Sequence, residues 1–119
     1  MNAQELKDRT KHFALRVMHL VDALPETPKG RAVASQLVRS GMSVAANYRA
    51  ACRARSSAEF AAKLGTVLEE ADESALWMEL IADGGLLKQS SVEALLAEAN
   101  ELAAIMFSAR RTTQRNPNS

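Results

Sequence analysis

Three observations predict an all-α protein folded as an antiparallel up-down four-helix bundle. Apolar residues recur at helical spacing through four separate segments. Alanine and leucine dominate, and aromatic residues make up only 4% of the chain, which favours helix over strand. The connections between segments are short, so consecutive helices must lie antiparallel as neighbours.

The first predicted helix spans about 3–24, with Leu6, Phe13, Val17, Leu20, Val21 and Leu24 on its apolar face. Pro25 and Pro28 end it and set a short connection. The second spans about 29–53 and turns Val33, Leu37, Val44, Tyr48 and Cys52 toward the core. Ser56, followed three residues later by Glu59, reads as a capping box that opens a third helix over 57–83. Its core stripe is Phe60, Leu64, Val67, Ala71, Ala75 and Met78, and Gly84-Gly85 supplies a left-handed stop. Ser90 and Glu93 read as a second capping box, opening a fourth helix over 91–111. The segment 112–119 has no periodicity and ends in Asn-Pro-Asn-Ser, so it is expected to be a disordered tail beside a single domain over 1–111.

The totals exclude several classes. With 119 residues, the chain fits one domain that can bury a core without staples. Its 15 Lys+Arg against 14 Asp+Glu give no global charge that would announce a nucleic-acid binder. A single cysteine, Cys52, cannot form an intrachain disulfide. Charges throughout the first twenty residues argue against a signal peptide, and no apolar run is long enough to span a bilayer. Together these features point to a cytoplasmic protein with no membrane role.

Local charge is less even than the total. Residues 29–63 hold Lys29, Arg31, Arg39, Arg49, Arg53, Arg55 and Lys63 against the lone acid Glu59. Residues 64–101 hold nine acids against the lone base Lys88. On the second helix Arg31, Arg39, Arg49 and Arg53 fall within one arc, opposite the core face. A strip of Gln36, Ser40, Ser43 and Asn47 lies beside that core face, where small polar groups let another helix approach. The third helix is apolar almost all round from Ala75 to Ala82, with Leu76 and Leu80 pointing away from the core stripe. A bundle this small cannot enclose one of its own helices, so that spare face should meet another subunit.

The stretch from Arg39 to Ser56 reads Arg-Ser-Gly-Met-Ser-Val-Ala-Ala-Asn-Tyr-Arg-Ala-Ala-Cys-Arg-Ala-Arg-Ser. It is followed by Phe60-Ala-Ala-Lys-Leu and by Glu69-Glu-Ala-Asp-Glu-Ser-Ala-Leu-Trp-Met-Glu. These segments closely resemble the four-helix-bundle family encoded in intervening sequences of bacterial 23S ribosomal RNA genes, often labelled the S23 ribosomal protein family. The Arg-Ser, Ser-Val, Ala-Asn-Tyr-Arg and Arg-Ser steps match in order, as do Lys63, Glu70, Glu73 and Trp77, and the likeness extends over about residues 11–110. Ala50 departs from the pattern, since relatives often carry an acid after the Asn-Tyr-Arg step. The resemblance implies an up-down bundle that assembles as a homopentamer. It also reaches the accessory variability protein of diversity-generating retroelements, which implies nucleic acid and a reverse transcriptase as possible kinds of partner.

The basic candidates are therefore Arg31, Arg39, Arg49, Arg53, Arg55 and Lys63, which could track an RNA or DNA backbone through salt-sensitive phosphate contacts. Against this, most of the arginine stripe is expected to pair with the acidic helices, leaving Arg31 and Arg55 free. Without an aromatic platform for bases, sequence preference should be weak. Leu76, Trp77, Leu80, Gln36, Ser40, Ser43 and Asn47 are the candidates for an oligomer interface.

The acidic group Glu69, Glu70, Asp72 and Glu73 lacks the Glu-x-x-His step of bundle metal sites, and His12 and His19 follow Arg9 and Arg16 at that spacing, so no metal or other cofactor is expected. Cys52 is expected to be an inert buried thiol. Ser56 and Ser90 are read as caps rather than nucleophiles, and no phosphate loop or nucleophile elbow occurs, so no enzyme activity is expected. The function expected is that of an oligomeric accessory protein touching nucleic acid through helix 2. The alternative is a protein-interaction scaffold with no nucleic-acid role.

Overall fold

Asn2, Thr27 and Ser56 are each placed to accept a backbone N–H in the first turn of a helix, and each does so. Asn2 Oδ1 accepts from Glu5 N at 2.8 Å, Thr27 Oγ1 from Gly30 N at 3.1 Å, and Ser56 Oγ from Glu59 N at 3.1 Å. The structure, a computed structural model, describes residues 1–116. In it these caps open α1 (Ala3–Val21), α2 (Pro28–Ala51) and α3 (Ser57–Asp83), and α4 (Gln89–Arg115) follows. No strand occurs among the described residues.

Pro28 takes the first position of α2, where its missing N–H costs nothing. The Ser56 cap is not fully reciprocal: Glu59 Oε2 reaches Arg55 N, one residue before the cap, at 3.3 Å. α3 stops as expected. Gly85 takes φ +71°, Leu86 N donates to Ile81 O at 2.9 Å, and Gly85 N donates to Ala82 O at 3.1 Å, which together form a Schellman motif.

Several boundaries differ from the expectation, among them the end of α2, which stops at Ala51 rather than at residue 53. α1 ends at Val21 rather than at residue 24, yet Leu24 is still buried, carried inward by the turn that follows. α4 begins at Gln89, with Lys88 at its cap position and no side-chain cap, so Ser90 lies inside the helix and its capping box does not form. α4 also continues to Arg115. Thr113 Oγ1 donates to Ala109 O at 2.9 Å, and burial of Met106 anchors the preceding turn. The last residues of the expected tail, 117–119, lie outside the described residues.

The helices pack side by side into a rod of 50 × 21 × 19 Å. α3 lies against both α2 and α4, α1 lies against α2, and α1 meets α4 along the narrowest seam. Among the described residues neither diagonal pair comes close, so the cross-section is a square in chain order. Antiparallel packing is visible at the α1–α4 seam, where Arg9 bonds Glu98 while His19, further along α1, shares a hollow with Ser91. Phe13, Val17, Leu37, Val44, Leu64, Val67, Met78, Ile81, Val92, Leu102 and Met106 form the fully buried centre. α1 and α2 approach closely at Gly41, where an added Cβ would lie 2.8 Å from a Val17 methyl.

Candidate nucleic-acid interface

The arginine stripe of α2 divides between two neighbours. Arg39 leans toward α3, where its guanidinium donates to Glu70 at 3.1 Å and also to Glu73. It is therefore engaged inside the monomer, but among the described residues it is the one arginine of the stripe that pairs with an acidic helix, so the expectation that most of the stripe does so is not met. Arg49 and Arg53 lean toward α1 and are exposed. Arg31 sits at the far end of α2 and donates to the Glu26 carbonyl at 2.8 Å. Nearly the whole of α2, about 30 Å, separates it from Arg53 just past the helix end, so the two cannot serve one compact site. Arg55 is exposed beyond the end of α2, and Lys63 is half-buried on α3.

Arg49 and Arg53 border a groove of about 510 Å³ between α1 and α2. Lys7 and Lys11 face them across it, and the floor is Ala14, Leu15, Met18, Met42, Ala45 and Ala46. No carboxylate lines the groove, and among the described residues none of its four cations belongs to an ion pair. The cations gather at the end where α1 begins, and the larger apolar side chains lie further along. Sequence reading missed Lys7 and Lys11. The signal was present, since Lys7, Lys11, Leu15 and Met18 recur every three to four residues on one face of α1, as do Met42, Ala46, Arg49 and Arg53 on α2.

The interface candidates also separate. Leu76 and Leu80 are 46% and 45% exposed on the back of α3. Trp77 is half-buried against the core, and its indole Nε1 is enclosed without a hydrogen-bond acceptor among the described residues. Ser40 is fully buried, shares a hydrogen bond of 2.8 Å with Ser74 and donates to Leu37 O. The helix that the small polar strip admits is thus α3 of the same chain, and Ser40 is removed from any surface between subunits. Asn47 is half-buried and donates to Ser43 O at 2.9 Å, while Gln36 is exposed beside Arg39.

A second hollow, of about 800 Å³, opens at the end of the bundle between the α2–α3 connection and the end of α4. Tyr48, Cys52, Arg55, Phe60 and Thr112 are among its walls, which include no acid and no imidazole among the described residues. Cys52 is half-buried rather than buried, because α2 ends at Ala51 and leaves it as the cap residue at the open end. Burial, reinforced by a hydrogen bond with Cys52, holds the Tyr48 hydroxyl above its ordinary pKa, so it stays protonated. These walls bring no nucleophile together with a base.

Glu70 and Glu73 are turned to Arg39, while Glu69 and Asp72 are exposed. Among the described residues no group of three or more His, Cys, Asp or Glu side chains is placed to hold a metal ion. Among the described residues no helix is long and apolar enough to cross a membrane.

Comparison with known proteins agrees with this architecture. A solved structure of a protein of unknown function from the S23 ribosomal protein family of Bacteroides thetaiotaomicron superposes with a TM-score of 0.82 at 31% identity, over 88% of this chain and 97% of that one. No curated protein matches the chain. The sequence model for the 23S rRNA-intervening sequence protein matches residues 3–108, nearly the full length of the bundle. The chain belongs to the 23S rRNA-intervening sequence protein family.

Proposed function

We propose that this chain is a non-catalytic, self-associating accessory protein that binds the backbone of RNA or DNA through the cationic end of the α1–α2 face. The observation that carries the proposal is the placement of Lys7, Lys11, Arg49 and Arg53 around one groove with no carboxylate among its walls. Four such cations, with Arg55 exposed nearby, form a local positive field that a near-zero total charge conceals. Binding of this kind releases counterions from phosphates and reads little sequence. It involves neither a cofactor nor a metal, and the cytoplasm is its expected setting. The homopentamer and the reverse-transcriptase partner implied by the family resemblance belong to the same reading.

A gel-shift titration tests it. Four phosphate contacts per chain should give a log–log salt slope of about −3 to −4 per bound chain. The double variant Lys7→Glu/Arg53→Glu should weaken binding by at least tenfold and flatten that slope. Binding that ignores salt, or that survives the double variant unchanged, would refute the proposal.

The apolar floor of the same groove favours a second reading, in which the chain is a protein-interaction scaffold with no nucleic-acid role. Leu15, Met18 and Met42 are 52%, 44% and 49% exposed there, a surface better suited to a helix than to phosphates.

A further inference from the structure

The groove between α1 and α2 is charged at one end and apolar at the other. The Val17–Gly41 approach sets the two helices in register. Counted from that mark at about 1.5 Å per residue, Lys7, Lys11, Arg49 and Arg53 fall within about 9 Å of the groove's length, and Leu15, Met18 and Met42 within about 5 Å further along. Ala14, Ala45 and Ala46 lie between the two groups, and the whole run is about 20 Å long. α2 has no acid anywhere in its sequence, so Arg49 has no carboxylate one turn away on its own helix.

Three kinds of ligand meet this surface differently. A phosphate backbone satisfies the cations but leaves the leucine and both methionines in water. A single-chain amphiphile covers the apolar end, yet brings one anionic head to four cations. An amphipathic helix brings several carboxylates and several apolar side chains on one face, three and four residues apart. It needs only about 13 residues to span the groove. The alanine stretch admits its backbone between the two ridges, and methionine adapts its shape to the side chains that arrive.

We infer that the α1–α2 groove seats an acidic amphipathic helix of a partner protein. Carboxylates in one half of that helix meet Lys7, Lys11, Arg49 and Arg53, and apolar side chains in its other half cover Leu15, Met18 and Met42. Complementary charge at one end fixes which way the helix lies, and burial at the other supplies attraction that salt does not screen. The inference deepens the protein-interaction reading by naming the partner's chemistry, and it holds whether or not the cationic end also binds nucleic acid.

Fluorescence anisotropy with a labelled, end-capped synthetic peptide of about 14 residues tests the inference. The peptide is built on alanine, with glutamates on one face of one half and leucines on the same face of the other. The parent protein should bind it at least tenfold more tightly than either of two controls. One control carries lysines in place of the glutamates, and the other has the same composition scrambled so that the face is lost. Met18→Ser/Met42→Ser removes the apolar end without altering charge and should weaken the peptide by about tenfold. Lys11→Glu/Arg49→Glu should weaken it by more and flatten its salt dependence. A parent protein that ignores the peptide, whether its groove is open or covered by another copy, would overturn the inference. So would equal binding of the scrambled control, or binding that survives both variants. If circular dichroism shows that the double serine variant loses helix, Leu15→Ser provides a second test of the apolar end. A gel shift on the same parent protein decides the nucleic-acid question independently, so the two readings can fail separately.

Discussion

Arg9 closes the seam between the first and last helices. Its guanidinium meets Glu98 at 2.7 Å and Glu101 at 2.8 Å, and the Glu98 pair is bidentate through a second bond of 2.8 Å. The hydrogen bonds from Arg9, more than simple charge attraction, hold the Glu98 carboxyl below its ordinary pKa. A carboxylate with a lowered folded-state pKa contributes stability that is fully present above its unfolded value of about 4.3 and is lost as pH falls through the folded value. Melting temperature should therefore fall in the wild type as pH is lowered from about 5 toward 2. Glu98→Gln should be less stable near neutrality and should show a smaller part of that fall. Parallel pH profiles for the two proteins would remove the pair from the account of the seam.

At the scale of the helices, Gly41 governs how closely α1 lies on α2 and hence the shape of the groove. Gly41→Ala gains helix propensity worth about 1 kcal/mol but drives a methyl onto Val17. Overpacking of this kind costs about 1–3 kcal/mol, so the net change should be destabilising by about 1 kcal/mol. Adding Val17→Ala should recover part of the loss beyond simple additivity, read as a coupling in urea unfolding. If the two substitutions prove additive, the close approach does not set the spacing.

The helices themselves were legible because their signals are local: the Ser56 cap, the Gly84-Gly85 stop and the two prolines each act within a few residues. The fourth helix was misjudged at both ends because no side-chain cap marks its start and its last turns are held by packing and backbone contacts that periodicity does not report. The exposed back of α3 was legible, since Leu76 and Leu80 leave the core stripe. The groove was not, because a groove belongs to two helices, and Lys7 and Lys11 appear unremarkable until α1 is laid against Arg49 and Arg53. The same holds for Ser40, whose partner Ser74 lies thirty-four residues away.

Taken as a whole, the molecule is a narrow rod with unlike surfaces around it. One side carries cations that form no ion pair among the described residues, beside methionine and leucine, and another carries leucine beside carboxylates. Arg39 shows how the chain neutralises a cation when an acid lies within the same bundle. Among the described residues the cations of the groove pair with no acid, which leaves phosphates as their natural counterparts. Self-association is the claim on which the arrangement turns, because it accounts for the apolar back of α3. The mass of the wild-type particle by light scattering at micromolar concentration addresses it most directly. The account predicts an integral multiple of the 12.9 kDa chain, five if the family resemblance holds in full, and a uniform particle of one chain would contradict it.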